Sequence, residues 1–470
     1  MELLDTIAAI STPHGKGGVA VLRVSGADAV AVASRVFVPR SGKQLNEGKP
    51  RVATYGAILA PEGDAWLPVD DGVATVYRAP ASFTGEDTVE ICCHGGILLT
   101  QTVLSALLSA GARMARPGEF TRRAFLNGKI GLSAAEAVGS LLEAQSRGQM
   151  TLALGGLHGK LESRSRACYE KLRTVLTSVL ACIDFPDEDL SEMSREDMIA
   201  ALSEVESELV ALGNTYRTGH AIAEGIPTVI CGRTNVGKSS LYNRLLGREA
   251  AIVTDIEGTT RDILSETTTL GQVTLRLFDT AGLRDTEDQV ERIGIDRARR
   301  AMDEAELILA LFDATRPLTE QERATLRDLA DRQRTGVAVI GLLNKSDAAE
   351  PTVAHKTESD VRAELERVLS ISAQMGEGME ALSALVNGLF VDGSISLRED
   401  AVVVNARQMA TVTRAVEALR AALDALRAGL PMDLCCVDLT ASMSALSELD
   451  GREIGEDVVS EIFSHFCVGK

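Results

Sequence analysis

The spacing of apolar positions changes character along the chain, and each change marks a segment of different architecture. Between residues 1 and 125, short apolar runs alternate with helical spacing. Gly18–Val24 (GVAVLRV), Val73–Tyr77 and Thr88–Cys92 predict strands, and Ile97–Ala110 predicts a helix. From about Ser133 to Tyr216 the chain becomes Ala/Leu-rich amphipathic helix, with breaks expected at Gly155-Gly156 and around Asp184–Asp187. Gly225-Ile226-Pro227 opens a third pattern. Apolar runs at Thr228, Val273, Leu307, Val337 and Val368 each precede a helical stretch, starting at Lys238 and ending near Phe390. That strand–helix alternation predicts a doubly wound α/β domain. From Asn405 the Ala/Leu helical character returns. Two helical regions of like composition flanking one α/β unit predict a helical domain with the α/β domain inserted in it. The predicted parts are an α+β domain over 1–125, helical segments over 126–222 and 395–470, and an α/β domain over 225–392. No strict heptad is sustained, so the Ala/Leu stripes read as bundle core.

Composition narrows the class. Of 470 residues, 45% are apolar and 24% charged, an ordinary globular mix that excludes bulk disorder. No apolar stretch approaches the roughly 18 residues of a membrane span, so no membrane association is expected. The start, MELLDTIAAISTPHGKGG, lacks a basic region leading into an apolar core, so a secretory signal is not expected either. The eight cysteines include two adjacent pairs, Cys92-Cys93 and Cys435-Cys436, and no C-x-x-C. They read as reduced cytoplasmic thiols rather than a zinc ribbon. A net charge of −19 argues against broad coating of nucleic acid. One segment is locally basic: Arg113, Arg116, Arg122, Arg123 and Lys129, with Glu119 opposing. By itself it reads as a solvated face, or as a contact for an anionic ligand or a nucleic-acid phosphate.

The strongest chemical signal is Gly232-Arg-Thr-Asn-Val-Gly237-Lys238-Ser239, the G-x-x-x-x-G-K-[ST] phosphate loop, set between a predicted strand and a predicted helix. Backbone N–H groups of such a loop, here around Asn235, Val236, Gly237 and Ser240, wrap a phosphate. Lys238 would reach the β- and γ-phosphates and Ser239 would hold Mg²⁺. Asp279-Thr280-Ala281-Gly282 follows the next strand, where a carboxylate reaches Mg²⁺ through water and a glycine amide senses the γ-phosphate. Asn344-Lys345-Ser346-Asp347 follows another strand. A carboxylate at Asp347 accepts from both the ring N–H and the amino group of guanine, a donor pair adenine lacks. Ser372-Ala373 fits the backbone contact to the guanine oxygen. Four motifs in order at strand ends predict a GTPase.

The loop Thr254-Asp255-Ile256-Glu257-Gly258-Thr259-Thr260 is the expected switch, with Thr260 completing the Mg²⁺ shell. Leu283 follows the D-T-A-G motif, where many small GTPases place a water-orienting Gln. Hydrolysis must then use a partner's residue, a cation, or a carboxylate further along such as Glu287 or Glu291.

Motifs outside this core carry a resemblance. Asp5-Thr6-Ile7-Ala8-Ala9, the stretch GKGGVAVLRVSG, Ser82–Asp87 (SFTGED), His94-Gly95-Gly96, Arg116–Thr121 (RPGEFT), Ala124–Asn127 (AFLN), Ile183–Glu188 (IDFPDE) and the tail Phe466-Cys467-Val468-Gly469-Lys470 resemble the MnmE (TrmE) family of tRNA-modification GTPases over nearly the whole chain. Two small departures are Thr234, where the family often has proline, and Val468. The resemblance implies an N-terminal folate-binding-like domain that also dimerises the protein. It implies a flavoprotein partner, MnmG, which alone carries FAD, in a heterotetramer-like complex. Together they would add an aminomethyl-type group to carbon 5 of the wobble uridine of certain tRNAs, using a one-carbon unit from a tetrahydrofolate derivative in its 5-formyl or methylene form. It places potassium ligands at Asn235, Thr254, Ile256 and Thr259, the hydrolytic glutamate at Glu291, and folate ligands at Arg23, Glu90, Lys129 and Lys470. Arg and Lys suit folate's tail carboxylates, and a carboxylate suits the pterin's paired N–H donors.

The resemblance also makes Cys467 a candidate for the modification chemistry. The alternatives are a buried structural thiol or a prenylation box, for which Gly469 and Lys470 are poor. Two rival functions share the same core motifs. One is a ribosome-assembly GTPase switch, which would usually carry an RNA-binding appendage such as a KH module. The other is a folate-binding regulator with no chemistry beyond hydrolysis.

The Asp347 assignment has a direct check. Asp347→Asn is expected to weaken GTP binding and favour xanthosine triphosphate, whose carbon-2 oxygen replaces the amino group. Competition between the two nucleotides reads this out, and wild-type preference in the variant would mean the loop is misassigned.

Overall fold

The computed structural model describes residues 5–184, 193–247, 265–278, 301–452, 455–464 and 466–469. Two compact units emerge, one of residues 1–139 with 447–470 and one of residues 140–446.

In the first unit the elements run β1 (Ile7–Ile10), β2 (Val19–Ser25), α1 (Ala29–Val36), β3 (Phe37–Pro39), β4 (Thr54–Glu62), β5 (Ala65–Tyr77), β6 (Thr88–His94), α2 (Ile97–Ser109), β7 (Arg113–Met114), α3 (Glu119–Leu126) and α4, which starts at Leu132. The seven strands form one sheet in the order β3-β4-β5-β6-β2-β1-β7. Side chains alternate across a strand, so each strand sorts its residues between two faces. Ala20, Leu22 and Val24 of β2, and Val89, Ile91 and Cys93 of β6, enter one core with α1 and α2. The intervening positions, Arg23 and Glu90, are register partners on the opposite face. Ile7 and Ala9 of β1 point to that second face and pack on Ala115 and Phe120.

A buried charge network ties this unit together. Arg123 is only 1% exposed. Its Nη1 donates to the Asp5 carbonyl at 2.9 Å and to Glu86 Oε2 at 3.1 Å; its Nη2 donates to Asp5 Oδ1 at 2.7 Å and Glu119 Oε1 at 3.0 Å. Arg113 grips Glu119 with both terminal nitrogens and Asp5 through Nε at 2.7 Å. Burial pushes the Glu119 carboxyl up, but Arg113, the Arg116 amide and Arg123 outweigh it and hold the group below its ordinary value. The basic segment is therefore opposed by Asp5 and Glu86 as well as Glu119, which corrects the expectation from sequence and removes Arg113 and Arg123 from any open cationic face.

The second unit contains α5 (Arg147–Leu157), α6 (Lys160–Asp184), α7 (Arg195–Asn214), α8 (Tyr216–Ala223), β8 (Ile226–Gly232), α9 (Lys238–Gly247), β9 (Ser265–Leu270), β10 (Val273–Phe278), β11 (Leu307–Asp313), α10 (Glu320–Arg334), β12 (Ala338–Asn344), α11 (Pro351–Arg362), β13 (Val368–Ser370), α12 (Met379–Phe390), α13 (Ala406–Arg427) and the start of α14 (Asp433–Asp450); α15 (Glu456–Ser464) belongs to the first unit. The helix break expected at Gly155-Gly156 falls instead at His158 and Gly159, because both glycines fit inside the last turn of α5. Helix α7 starts on a Ser194–Asp197 capping box, α10 on a Thr319–Glu322 box, and α13 on an Asn405 cap. Each satisfies N–H groups that a helix start leaves open. The buried residues of α7 (Met198, Leu202, Val205, Leu209, Leu212) recur every three or four positions and face α13 and α6.

The six-stranded sheet has the order β13-β12-β11-β8-β10-β9, with β9 alone antiparallel. Its parallel strands are apolar on both faces, as helices on both sides require. Leu307, Leu309 and Leu311 face one core with Leu241, Leu382 and Val386; Ile308, Ala310 and Phe312 face the other with Leu326, Leu329 and Val361. The sheet's entry and exit lie side by side. Thr218 on α8 donates to the Phe390 carbonyl at 3.4 Å and accepts from the Asp392 amide at 2.9 Å. Gly219 packs against the Val403 backbone so closely that a Cβ would collide with it. Neighbouring entry and exit segments let an α/β unit sit within a helical one with little disturbance of the helices.

Removing the Arg123 charge should leave Glu86 without its described cation, and Asp5 and Glu119 with Arg113 alone. Arg123→Leu is expected to destabilise the first unit by about 3–5 kcal/mol, the usual cost of breaking a buried pair from one side. The chain's single tryptophan, Trp66, packs on that unit's core and reports its unfolding in urea by fluorescence. A change under about 1 kcal/mol would show that the network is not what holds α3 to β1.

Candidate nucleotide site

The site is built at the C-terminal ends of parallel strands, where the strand order reverses around central β8. The loop from Gly232 to Gly237 leaves β8 and feeds α9. Its turn needs left-handed backbone: Gly232 has φ +143°, Asn235 +66° and Gly237 +103°. A Cβ at Gly237 would run into the Asn344 amide, so the close approach demands glycine. Lys238 Nζ donates to the carbonyls of Gly232 at 2.8 Å and Arg233 at 2.9 Å. Burial holds its ammonium below the ordinary lysine value. Asn235, Ser239 and Ser240 are exposed, and Val236 is buried as the loop's apolar anchor.

Asn344 joins three loops. It is 3% exposed at the end of β12. Its Nδ2 donates to the Val236 carbonyl at 2.8 Å, and its Oδ1 accepts from the Ala373 amide at 2.9 Å. The phosphate loop, the Asn-Lys-Ser-Asp loop and the Ser372-Ala373 loop are thus brought together by one side chain. Arg244 of α9 reinforces the arrangement, donating through Nε to the Ala373 carbonyl at 3.1 Å and through Nη2 to the Gln374 carbonyl. Ser346 N–H donates to the Ile371 carbonyl at 3.1 Å. Asp347 is exposed at the loop's rim, and Ser372 and Ala373 are buried. Next to Lys345, burial pushes the Asp313 carboxyl up, but Lys345 and Thr315 outweigh it and hold the group below its ordinary value. The candidate switch residues Thr254, Asp255, Ile256, Glu257, Gly258, Thr259 and Thr260 lie outside the described residues, as do Asp279, Thr280, Ala281, Gly282, Glu287 and Glu291.

The candidate folate residues fall in the first unit. Arg23 donates through Nε at 3.0 Å and Nη2 at 2.8 Å to Glu90 Oε1. Tyr77 OH donates to Glu90 Oε2 at 3.3 Å. The guanidinium carbon lies 5.3 Å from the Phe83 ring centroid and 5.6 Å from that of Phe120. The single charges read from sequence are therefore one pair, set among aromatic rings that sequence reasoning missed. Lys129 donates to the Pro80 carbonyl at 2.9 Å, and its Cγ is a neighbour of Gly85, so it lies against the loop that carries Phe83. The tail reaches the same unit. The Ser11 hydroxyl donates to the Gly469 carbonyl at 3.1 Å, Val468 bridges Pro117, and the Gly118 amide donates to the Cys467 carbonyl at 3.3 Å. The Cys467 side chain is exposed, which sets aside its reading as a buried structural thiol. Lys470 lies outside the described residues.

A phosphate loop, an Asn-Lys-x-Asp loop and a Ser-Ala loop, gathered at the ends of neighbouring parallel strands, define a guanine-nucleotide-binding domain of the P-loop class. The rest of the chain narrows that class. Residues 6–129 match the family model of the GTP-binding protein TrmE N-terminus, and residues 132–467 match that of the MnmE helical domain. The tRNA modification GTPase MnmE of Symbiobacterium thermophilum is 43% identical over 469 residues, 99% of each chain. Its namesakes in Acetivibrio thermocellus and Enterococcus faecalis are 38% and 40% identical over 99% of this chain and 99% and 98% of their own. The chain belongs to the MnmE family of tRNA modification GTPases.

Asn344→Ala should loosen all three loops at once. It leaves the Val236 carbonyl and the Ala373 amide without their partner, a penalty of about 1–3 kcal/mol for each buried group. Titration with a fluorescent GDP analogue is expected to show at least a tenfold loss of affinity. Near wild-type binding would show that the loops hold their arrangement without this side chain.

Proposed function

We propose that this chain hydrolyses GTP and couples that hydrolysis to tRNA modification. The observation that carries the reading is the Asn344-centred meeting of the phosphate and base loops, in a chain related to MnmE proteins from end to end. In the proposed reaction the chain works as a homodimer with the MnmG flavoprotein in the cytoplasm, adding an aminomethyl-type group to carbon 5 of the wobble uridine. Among the described residues no helix is long and apolar enough to cross a membrane. The four-part division of the chain at 1–125, 126–222, 225–392 and 395–470 belongs to this proposal. The rival ribosome-assembly role gains no support from the N-terminal sheet and helical segments, whose family models carry the TrmE and MnmE names.

The residues suit the groups the reaction needs. Ser239, exposed in the first turn of α9, offers a hydroxyl for Mg²⁺, with Thr260 as the second protein ligand. Asn235 presents an exposed side-chain amide on a left-handed backbone, a neutral oxygen donor that fits potassium better than a second anion would. Thr254, Ile256 and Thr259 would supply the other oxygens. Potassium, when bound there, would supply the positive charge that an arginine finger gives other GTPases. Glu291 would orient the attacking water that Leu283 cannot. The Arg23–Glu90 pair with Lys129 and Lys470 would hold the tetrahydrofolate. Glu90 Oε2 meets one phenol among the hydrogen bonds described, leaving acceptor capacity for the pterin N–H donors. The exposed Cys467 thiol would serve the modification step rather than hydrolysis.

Potassium should accelerate GTP hydrolysis and sodium should not. Glu291→Ala is expected to bind GTP as tightly as the parent and to hydrolyse it about 10²–10³-fold more slowly, the usual loss of one transition-state contact. Phosphate release at matched ionic strength measures both. Equal rates in the two cations with full activity in Glu291→Ala would point to a residue supplied by a partner. Nucleoside mass spectrometry of tRNA from a deletion strain tests the larger reading, which intact wobble modification there would defeat.

A further inference from the structure

The side chain of Lys345 is held by an acid on the neighbouring strand. Asp313 ends β11 as the register partner of Asn344, and the Ala314 amide donates to the Asn344 carbonyl at 2.9 Å. Asp313 is 7% exposed. Its two oxygens have separate tasks. Oδ1 accepts from the Thr315 amide at 3.0 Å and from the Thr315 hydroxyl at 2.6 Å. Oδ2 accepts from Lys345 Nζ at 2.7 Å and lies 3.9 Å from Arg316 Nε, whose terminal nitrogens are held by Glu322. The acid is thus oriented by its own loop before it meets the lysine. Lys345 itself has left-handed backbone, φ +67°, which a lysine adopts only when its surroundings impose it. Asn344 is fixed on one side of it by Val236 and Ala373, and Asp347 stands two residues beyond.

We propose that Asp313 is a positioning residue for guanine-nucleotide binding. By fixing the ammonium of Lys345 it sets the direction of the lysine's four-carbon stem beside the base-reading Asp347, before nucleotide arrives. A free lysine side chain samples many rotamers, and ordering it on binding costs affinity; a stem already tethered spares the nucleotide that cost. The contact lies on the base-reading loop rather than on the γ-phosphate side, so GDP and GTP gain equally. This inference rests on the reading of Asn344–Asp347 as the guanine loop.

Equilibrium binding of fluorescent GDP and of a slowly hydrolysed GTP analogue to the full chain tests it. Asp313→Asn retains an oxygen for Thr315 but loses the charge that holds Lys345. It is expected to weaken both nucleotides by the same factor, on the order of tenfold. Lys345→Met should weaken them comparably, and the double variant should be no worse than the weaker single variant, because both changes remove one interaction. Should Asp313→Asn fold poorly, Thr315→Val keeps the acid's charge and removes one of the two contacts that orient it, and should give a smaller loss in the same direction. Wild-type affinity in Asp313→Asn, or losses that add in the double variant, would overturn the proposal. The Asp347→Asn competition separates the two readings. A switch to xanthosine triphosphate there, with no effect of Asp313→Asn, leaves the guanine loop standing and removes Asp313 from it.

Discussion

Everything at the nucleotide site depends on one buried amide. Asn344 must donate to the phosphate loop and accept from the loop after β13, and both contacts are buried. A buried amide with both ends engaged has a single orientation, so it fixes the spacing of the loops it joins. That requirement reaches into the sequence. Gly237 must lack a Cβ because the amide occupies the space, and Gly232 must be left-handed where β8 passes under the Leu311 carbonyl. The β11–β12 register sets Asp313 beside Asn344, and the β11–β8 register sets Leu311 beside Gly232.

The first unit solves a comparable problem with charge. Asp5, Glu86 and Glu119 come from the start of the chain, a loop and a helix, and two arginines draw them together. Such a network is costly to bury, and it repays the cost in specificity: few other packings would satisfy all five groups. It also positions its neighbourhood. Glu86 accepts from the Ser25 hydroxyl, and the loop holding Glu86 carries Phe83 to the Arg23 guanidinium. The same unit takes in the tail through Gly118, whose left-handed backbone (φ +62°) lies against the Phe463 carbonyl.

Within the second unit, the helices meet the sheet at Thr218. One hydroxyl serves the exit from α12 as both donor and acceptor, and the missing side chain at Gly219 admits the returning chain at Val403. An inserted domain needs such a tight crossing so that its host helices can pack across the gap in sequence. Helices α7 and α13 do so although about 190 residues separate them.

The sequence by itself determined the parts whose signal is local. The period of apolar residues located β8, β10, β11 and β12, because strands buried on both faces are continuous apolar runs. Glycine spacing located the phosphate loop, because the loop's conformation excludes other residues. The Asn-Lys-Ser-Asp and Ser-Ala runs were legible because their hydrogen-bonding groups complement guanine and they follow apolar strand runs. What the tertiary structure decided was pairing across distance. Strands β3, β4 and β9 carry weaker patterns and exist through their partners. Arg23 and Glu90 are 67 residues apart, and only the β2–β6 register makes them one ion pair. The basic run from Arg113 to Lys129 looked open in sequence because its acids, Asp5 and Glu86, arrive from elsewhere. Asp313 gave no sequence signal at all, since an acid at a strand end gains meaning only when the neighbouring strand brings it a lysine.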